Sequence, residues 1–118
     1  SMSLRIEKLK LGKVILSERI DELMSVDYFA LMQIHDCLAL HESCIWGELS
    51  EEDKQLNNMA LLNNARIISS YNTDYGKISI ITEDDRTITT ICFTDENYRS
   101  GSIDSSLSLI IRIRRLNE

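Results

Sequence analysis

The sequence has no proline, only three cysteines and only two histidines, and each shortage excludes a class of protein. No linker or low-complexity stretch interrupts the chain, so residues 1–118 fit a single domain. The cysteines Cys37, Cys44 and Cys92 form an odd set without CxxC spacing, which favours free thiols over a disulfide framework. Two histidines leave little material for a catalytic triad, and no nucleophile elbow, phosphate loop or HExxH motif occurs.

Long apolar runs are also missing. None approaches the roughly 20 residues that a membrane span needs, and the start of the chain lacks the order of a secretory signal. We therefore expect a cytoplasmic protein without a membrane segment. Ser1 precedes Met2, and we interpret it as a remnant of tag removal.

The net charge of −6 is unevenly distributed along the chain. Residues 1–16 carry four cations and one anion, whereas residues 17–53 carry one cation and ten anions. An acidic segment disfavours contact with a phosphate backbone, so nucleic-acid binding is unlikely from the sequence. The alternative would use the basic first segment together with Arg112, Arg114 and Arg115.

Helical spacing of apolar residues dominates the first half of the chain. Ser17 precedes a short helix over 18–24, Asp27 precedes a longer helix, and Ser50 opens a third of about 12 residues. The apolar stripe of the second helix is predicted to contain Phe29, Ala30, Ile34, Cys37, Leu38 and His41. The apolar positions of the third helix are Leu56, Met59, Ala60 and Leu62.

Period-two alternation replaces helical spacing from residue 66 onward. It predicts strands around 67–71, 78–82 and 89–93 with tight turns between them, in addition to a first strand at Leu9–Leu16. Residues 104–116 alternate again and predict a C-terminal edge strand, through which a homodimer can form. The sequence therefore predicts an α+β fold, with three helices packed on one face of a four- to five-stranded, mainly antiparallel sheet.

Three stretches within residues 11–98 carry a resemblance to a known family. They are Leu11-Gly12-Lys13-Val14-Ile15; His41-x4-Trp46-Gly47-Glu48-Leu49-x-Glu51-Glu52-Asp53 with Asn57, Ala60-Leu61, Arg66 and Ser69-x-Tyr71; and Ile80-Ile81-Thr82-Glu83-x-Asp85-Arg86-x-x-Thr89-Thr90-Ile91. The chain resembles a small bacterial family encoded mostly on plasmids and integrated mobile elements.

The resemblance implies a bacterial, mobile-element context and no particular activity. Members are labelled plasmid-related protein or type I restriction endonuclease subunit M. A methyltransferase subunit needs a larger domain with a glycine-rich cofactor turn, and no GxGxxG is present. Cys44-Ile45 also stands where family members usually carry Gly-Asp.

The densest polar cluster of the sequence is Glu83-Asp84-Asp85-Arg86. Carboxylates in a turn can bind a cation or exchange protons, and an arginine beside them can hold an anion. The simpler interpretation is a solvated turn in which Arg86 pairs with an acid or a backbone carbonyl. The family-like motif adds interest to Glu83, Asp85 and Arg86.

A second candidate site contains His41 and Trp46. The histidine can act as a general base and an exposed tryptophan can anchor a partner, or both can be structural, with Trp46 closing the core and His41 donating to a backbone carbonyl. Cys37, His41 and Cys44 have the only metal-like spacing, but Cys37 belongs to an apolar stripe, so we expect no metal or other cofactor.

Two functions follow as hypotheses. The first is a non-enzymatic protein-interaction or regulatory module with a protein partner, in which His41, Trp46, Glu83, Asp85 and Arg86 contribute to binding. The alternative is a small enzyme or ligand-binding protein whose pocket combines His41 with Glu83, Asp85 and Arg86.

Overall fold

The structure is a computed structural model, and it describes residues 8–96. This range contains three helices and a four-stranded sheet, which confirms the predicted α+β class. In chain order the elements are β1 (Lys13–Leu16), α1 (Glu18–Val26), α2 (Tyr28–Glu42), α3 (Glu51–Asn63), β2 (Ile67–Thr73), β3 (Gly76–Thr82) and β4 (Ile88–Phe93). The predicted strand at 104–116 lies outside the described residues.

The sheet is mixed, with the strand order β1-β4-β3-β2. Strands β2, β3 and β4 form the predicted antiparallel meander, whereas β1 pairs in parallel with β4. β1 is shorter than the predicted Leu9–Leu16, because Gly12 has a φ of 66° and the amide of Leu9 donates to the carbonyl of Glu42 at 2.8 Å. The chain is therefore not in the sheet before Lys13.

Each helix begins at the capping residue that the sequence predicts. The side chain of Ser17 accepts from the amide of Ile20, Asp27 accepts from Ala30, and Ser50 accepts from Asp53. These contacts satisfy backbone donors that a helix cannot pair within itself. Local capping chemistry thus fixes where all three helices start.

The main core forms between two helices and one face of the sheet. Buried residues of α1 and α2, such as Ile20 and Ile34, cluster with strand residues that the register places on the same face. The strand residues are Val14, Leu16, Tyr71, Ile78, Ile80, Ile91 and Phe93. A second cluster consists of Leu9, Trp46, Ala60 and Ile67.

Of the four predicted apolar positions of α3, only Ala60 is buried. Leu56, Met59 and Leu62 are 62%, 58% and 88% exposed, and the buried residues of this helix are Asn57 and Ala60. Phe29 of α2 is also outside the core, at 71% exposed, although the rest of its predicted stripe is buried.

Hydrogen bonding explains the orientation of α3. The Asn57 side chain donates to the carbonyl of Ile68 at 2.8 Å and accepts from the amide of Ile68 at 3.3 Å. Ile68 lies on edge strand β2, where its outward backbone groups have no strand partner among the described residues. An asparagine that satisfies both groups outweighs the apolar stripe in setting which side of the helix faces inward.

We expect Asn57→Ala to lower the free energy of unfolding by about 1–2 kcal/mol, because it removes two part-buried hydrogen bonds to the backbone of Ile68. Leu56→Ala, one position away on the exposed side, should change it by about 0.5 kcal/mol or less. Urea unfolding of both variants measures the difference. A larger loss for Leu56→Ala than for Asn57→Ala would contradict this orientation of α3.

Candidate functional site

The most extensive buried polar arrangement surrounds His41, near the end of α2. The ring is fully buried. Its Nδ1 lies 2.5 Å from the Ser69 hydroxyl on β2, and its Nε2 lies 2.8 Å from the Thr82 hydroxyl on β3. The Thr82 hydroxyl is hydrogen-bonded to the Thr89 hydroxyl at 2.7 Å, and the Thr89 hydroxyl donates to the carbonyl of Leu11 at 2.7 Å.

The direction of these hydrogen bonds follows from proton counting. A carbonyl only accepts, so the Thr89 hydroxyl donates to Leu11 and accepts from Thr82. The proton of Thr82 is then committed, so its oxygen accepts from Nε2–H of His41. In a neutral ring Nδ1 consequently accepts from Ser69.

Burial also favours the neutral ring. It lowers the pKa of His41 from 6.5 to about 4, and the positive charge of Arg86 adds to the effect. The predicted donation to a backbone carbonyl is wrong, since both ring nitrogens meet side-chain hydroxyls. Ser69 and His41 form a contact of the kind found in nucleophilic enzymes, but both residues are fully buried, so a substrate has no access to them.

Trp46 belongs to the interior. It is 4% exposed, stacks edge-on against His41 with ring centroids 5.8 Å apart, and donates from Nε1 to the Asn58 side chain at 2.9 Å. A tryptophan that anchors a partner has to be accessible, and this one is not. Its position fits the structural alternative, in which Trp46 closes the core.

Arg86 lies in the turn between β3 and β4 with a φ of 61°. Its guanidinium donates to three backbone carbonyls: Ala60 at 2.9 Å, Ala65 at 2.7 Å and Glu83 at 2.9 Å. Ala60 lies in the last turn of α3 and Ala65 just after its C-cap Asn64, so the guanidinium lies at the end of the helix where the dipole favours a cation. The arginine therefore joins the turn to the helix end.

Two of the three acidic residues of this motif, Glu83 and Asp85, also have partners within the protein. Asp85 accepts from the hydroxyl and the amide of Thr87 at 2.6 and 3.0 Å, and these bonds lower the pKa of its exposed carboxyl. Glu83 lies 3.7 Å from the Arg66 guanidinium. The motif thus has the features of the simpler interpretation, a stapled turn.

The five predicted residues fall into two structural groups. Trp46 stacks on His41, and Arg86 is near enough to influence the charge of that ring. Asp85 is exposed and bonded within its own turn, and Glu83 lies beside Arg66. A cleft of about 380 Å³ lies between residues 9–14 and α2, and none of the five lines it. A second cleft, of about 260 Å³ and bounded by Ile68 and Cys92 among others, is likewise lined by none of the five.

Metal binding has no support in the described part of the chain. Residues 8–96 contain no group of three or more histidine, cysteine or acidic side chains placed to hold an ion. His41 shares no such group with Cys37 and Cys44, and hydroxyls occupy its ring nitrogens. None of the helices in this range has the length and apolar character to cross a membrane.

Sequence reasoning missed the polar residues that the fold brings to His41. Ser69, Thr82 and Thr89 lie on strands at positions that alternation assigns to the core face. A hydroxyl at a core position needs a hydrogen-bond partner, and a histidine in the apolar stripe of α2 offers two ring nitrogens. The sequence therefore shows that these hydroxyls need partners, but it does not show that His41 is the partner.

The largest accessible apolar feature of α3 was also unexpected. Leu56, Met59 and Leu62 are three apart and form an exposed stripe, which we call the α3 stripe. Glu52 lies one turn before Leu56 on the same side of the helix, and Glu51 and Asp53 are its exposed neighbours. The stripe therefore begins next to a concentrated negative charge.

The buried imidazole predicts a dependence of stability on pH. The unfolded chain protonates this ring near pH 6.5 and the folded chain near pH 4, so between these values the unfolded state binds more protons. The free energy of unfolding should therefore fall by up to roughly 3 kcal/mol as the pH drops from about 6.5 to 4. Urea unfolding across this range measures the fall.

His41→Gln keeps a donor and an acceptor but cannot titrate, so it should remove this part of the pH dependence. His35→Gln, which changes an exposed histidine of the same helix, is the matched control and should retain it. An unaltered pH dependence in His41→Gln would contradict the assignment.

The arginine contacts generate a separate prediction. We expect Arg86→Lys to lower the free energy of unfolding by about 1–3 kcal/mol. The planar guanidinium donates to three carbonyls at once, and the single ammonium of lysine cannot reach all three. Asp84→Asn, an exposed change in the same turn, should have an effect of about 0.5 kcal/mol or less. Equal effects of the two substitutions in thermal or urea unfolding would contradict a stapling role for Arg86.

Comparison with protein-family models, with curated proteins and with solved structures finds no match to this chain. The likeness to a mobile-element family therefore stays a prediction from the residues quoted above. Function has to be argued from the geometry of the chain itself.

Proposed function

We propose that this chain is a non-enzymatic protein-interaction module, a cytoplasmic accessory or regulatory protein of a bacterial mobile element. The observation that carries the proposal is the α3 stripe. Three large apolar side chains, Leu56, Met59 and Leu62, are more than half exposed on one helix. Clustered apolar residues in contact with water typically mark a surface that a partner covers.

The stripe is not needed for the helix itself. α3 is capped by Ser50 at its start and by Arg86 at its end, and Asn57 and Ala60 provide its buried contacts. Polar residues at positions 56, 59 and 62 would satisfy the same backbone geometry. Their apolar character therefore favours a role outside the folding of this domain.

The charge around the stripe indicates the chemistry of the partner. Glu51, Glu52 and Asp53 are exposed in the first turn of α3, and they belong to a segment with ten anions and one cation. Opposite charges speed encounter and orient two proteins, while apolar contacts supply most of the affinity. The partner that fits is an amphipathic protein segment with an apolar side flanked by lysine or arginine.

The alternative of a small enzyme or ligand-binding pocket has less support. His41 is fully buried and both of its nitrogens have hydroxyl partners, while Arg86 is bonded to three carbonyls. The hydrogen-bonding groups of these side chains are therefore already occupied by contacts within the fold. Binding through Trp46 or Arg86 would require each to leave its present contacts. A homodimer through residues 104–116 remains a separate proposal.

The experiment is affinity capture from a bacterial lysate with three baits, followed by binding measurements on the purified captured protein. Leu62→Glu places a charge in the stripe, and Phe29→Glu places the same charge on another exposed apolar residue. We expect the partner to bind the unaltered chain and Phe29→Glu, and to bind Leu62→Glu at least about tenfold more weakly. Reversal of Glu52 to lysine should also weaken binding, more strongly at low salt.

Both glutamate substitutions are at exposed sites, so the variants should unfold at the same urea concentration as the unaltered chain. A partner that binds all variants equally would contradict the proposed surface. Capture of no specific protein by the unaltered chain would contradict the interaction function.

A further inference from the structure

The sheet has a second face, opposite the one that forms the main core. The register aligns Ile15, Thr90, Ile81 and Ile68 across all four strands, and places Cys92 beside them on the same side. We call this set the second face. Three isoleucines in one row make it an apolar surface.

Most of the second face is buried, and only Ile68 on the edge strand is exposed, at 41%. Ile15, Ile81 and Cys92 are 6%, 3% and 2% exposed. Neither core cluster of the described residues includes any of them, since the strand residues of both clusters belong to the first face. Within residues 8–96, this row therefore belongs to neither of the cores that the helices form with the sheet.

The end of the described chain lies at the margin of the same face. A cleft of about 260 Å³ runs over it, lined by Ile68, Ile81, Cys92 and Glu96 among others. Glu96 is held in place, because its carboxylate accepts from the Ser17 hydroxyl at 2.9 Å and from the amide of Phe93 at 2.6 Å. Whatever follows residue 96 starts beside the apolar row.

The remaining sequence has the length and composition to cover the row. Residues 97–118 can extend by about 3.3 Å each, whereas four strands about 4.8 Å apart span only about 15 Å. The apolar residues within 104–116 are Leu107, Leu109, Ile110, Ile111, Ile113 and Leu116. A segment so rich in leucine and isoleucine gains free energy by leaving water.

We propose that residues 104–116 cover the second face of the sheet in their own molecule. The segment packs its leucines and isoleucines on Ile15, Ile81 and Cys92, and its arginines stay at the solvent side. This occupant distinguishes the proposal from the homodimer expected from the sequence, in which a second copy would use the same segment.

The first test uses the thiols as reporters in the full-length chain. Cys92 lies on the second face and Cys37 in the main core, so the two report different sides of the sheet. Substitution of Leu107, Leu109, Ile111 and Ile113 by serine should increase alkylation of Cys92 by iodoacetamide at least about tenfold and leave Cys37 unchanged, as followed by mass spectrometry. An unchanged rate at Cys92 would overturn the proposal.

If both thiols became reactive together, the variant would have unfolded, so a second test leaves residues 104–116 unaltered. A nitroxide is attached to Asn72→Cys, an exposed position on the second-face side of β2, in a Cys44→Ser background. In NMR spectra of this protein, the nitroxide should broaden the amide signals of residues 104–116. A nitroxide at Asp36→Cys, an exposed position of α2, is the control and should have little effect.

Mixing isotope-labelled chains with separately nitroxide-labelled chains identifies the molecule that provides the cover. Broadening within one chain and not between chains supports the proposal. Broadening only between chains means that a second copy is seated on the face, and absence of broadening means that the segment lies elsewhere. Either of these results would overturn it.

Discussion

A fully buried imidazole must find a partner for each of its nitrogens, and His41 finds them on two different strands. Ser69 and Thr82 lie 28 and 41 residues further along the chain. Through Thr89 the same line of hydrogen bonds reaches the carbonyl of Leu11, ahead of the first strand. Because each hydroxyl has one proton, loss of any member leaves a neighbour unpaired in the interior. The position of α2 over the sheet is thus tied to the order of the strands.

The edge of β2 imposes the second constraint. The outward backbone groups of Ile68 bond to the Asn57 side chain, and those of Ser70 bond to the backbone of Trp46 and Glu48. Strand edges with free amides and carbonyls invite pairing with other chains. Here a helix side chain and a loop occupy the edge instead. The orientation of α3 follows from this, since Asn57 must face the strand.

Local chemistry could be predicted from the sequence. Ser17, Asp27 and Ser50 begin the helices because their side-chain oxygens reach backbone amides a few residues away, and period-two alternation located the meander. The parallel pairing of β1 could not be predicted in this way. A strand of four residues carries no signal for the direction of its neighbour.

The candidate site was harder to predict because its contacts are distant in sequence. The sequence indicates His41 and Trp46 as candidates, yet their partners Ser69, Thr82 and Asn58 depend on tertiary structure. The inward face of α3 was mispredicted for a related reason. Apolar spacing favoured Leu56, whereas the buried amide contacts of Asn57 decided the orientation. Hydrophobic periodicity assumes that burial of apolar area dominates, and at this edge two hydrogen bonds dominate instead.

The contacts of His41, Trp46 and Arg86 give each of these side chains a structural role. Histidine, arginine and tryptophan usually attract attention as binding groups, but here each is committed to the fold by bonds to a hydroxyl, a carbonyl or an amide. A helix satisfies its backbone internally, so α3 can leave leucines in water without unpaired polar groups. A sheet face has no such freedom to expose a row of isoleucines, because the row is wide and flat. This difference underlies the two proposals, a protein partner for the α3 stripe and residues 104–116 as the cover of the second face.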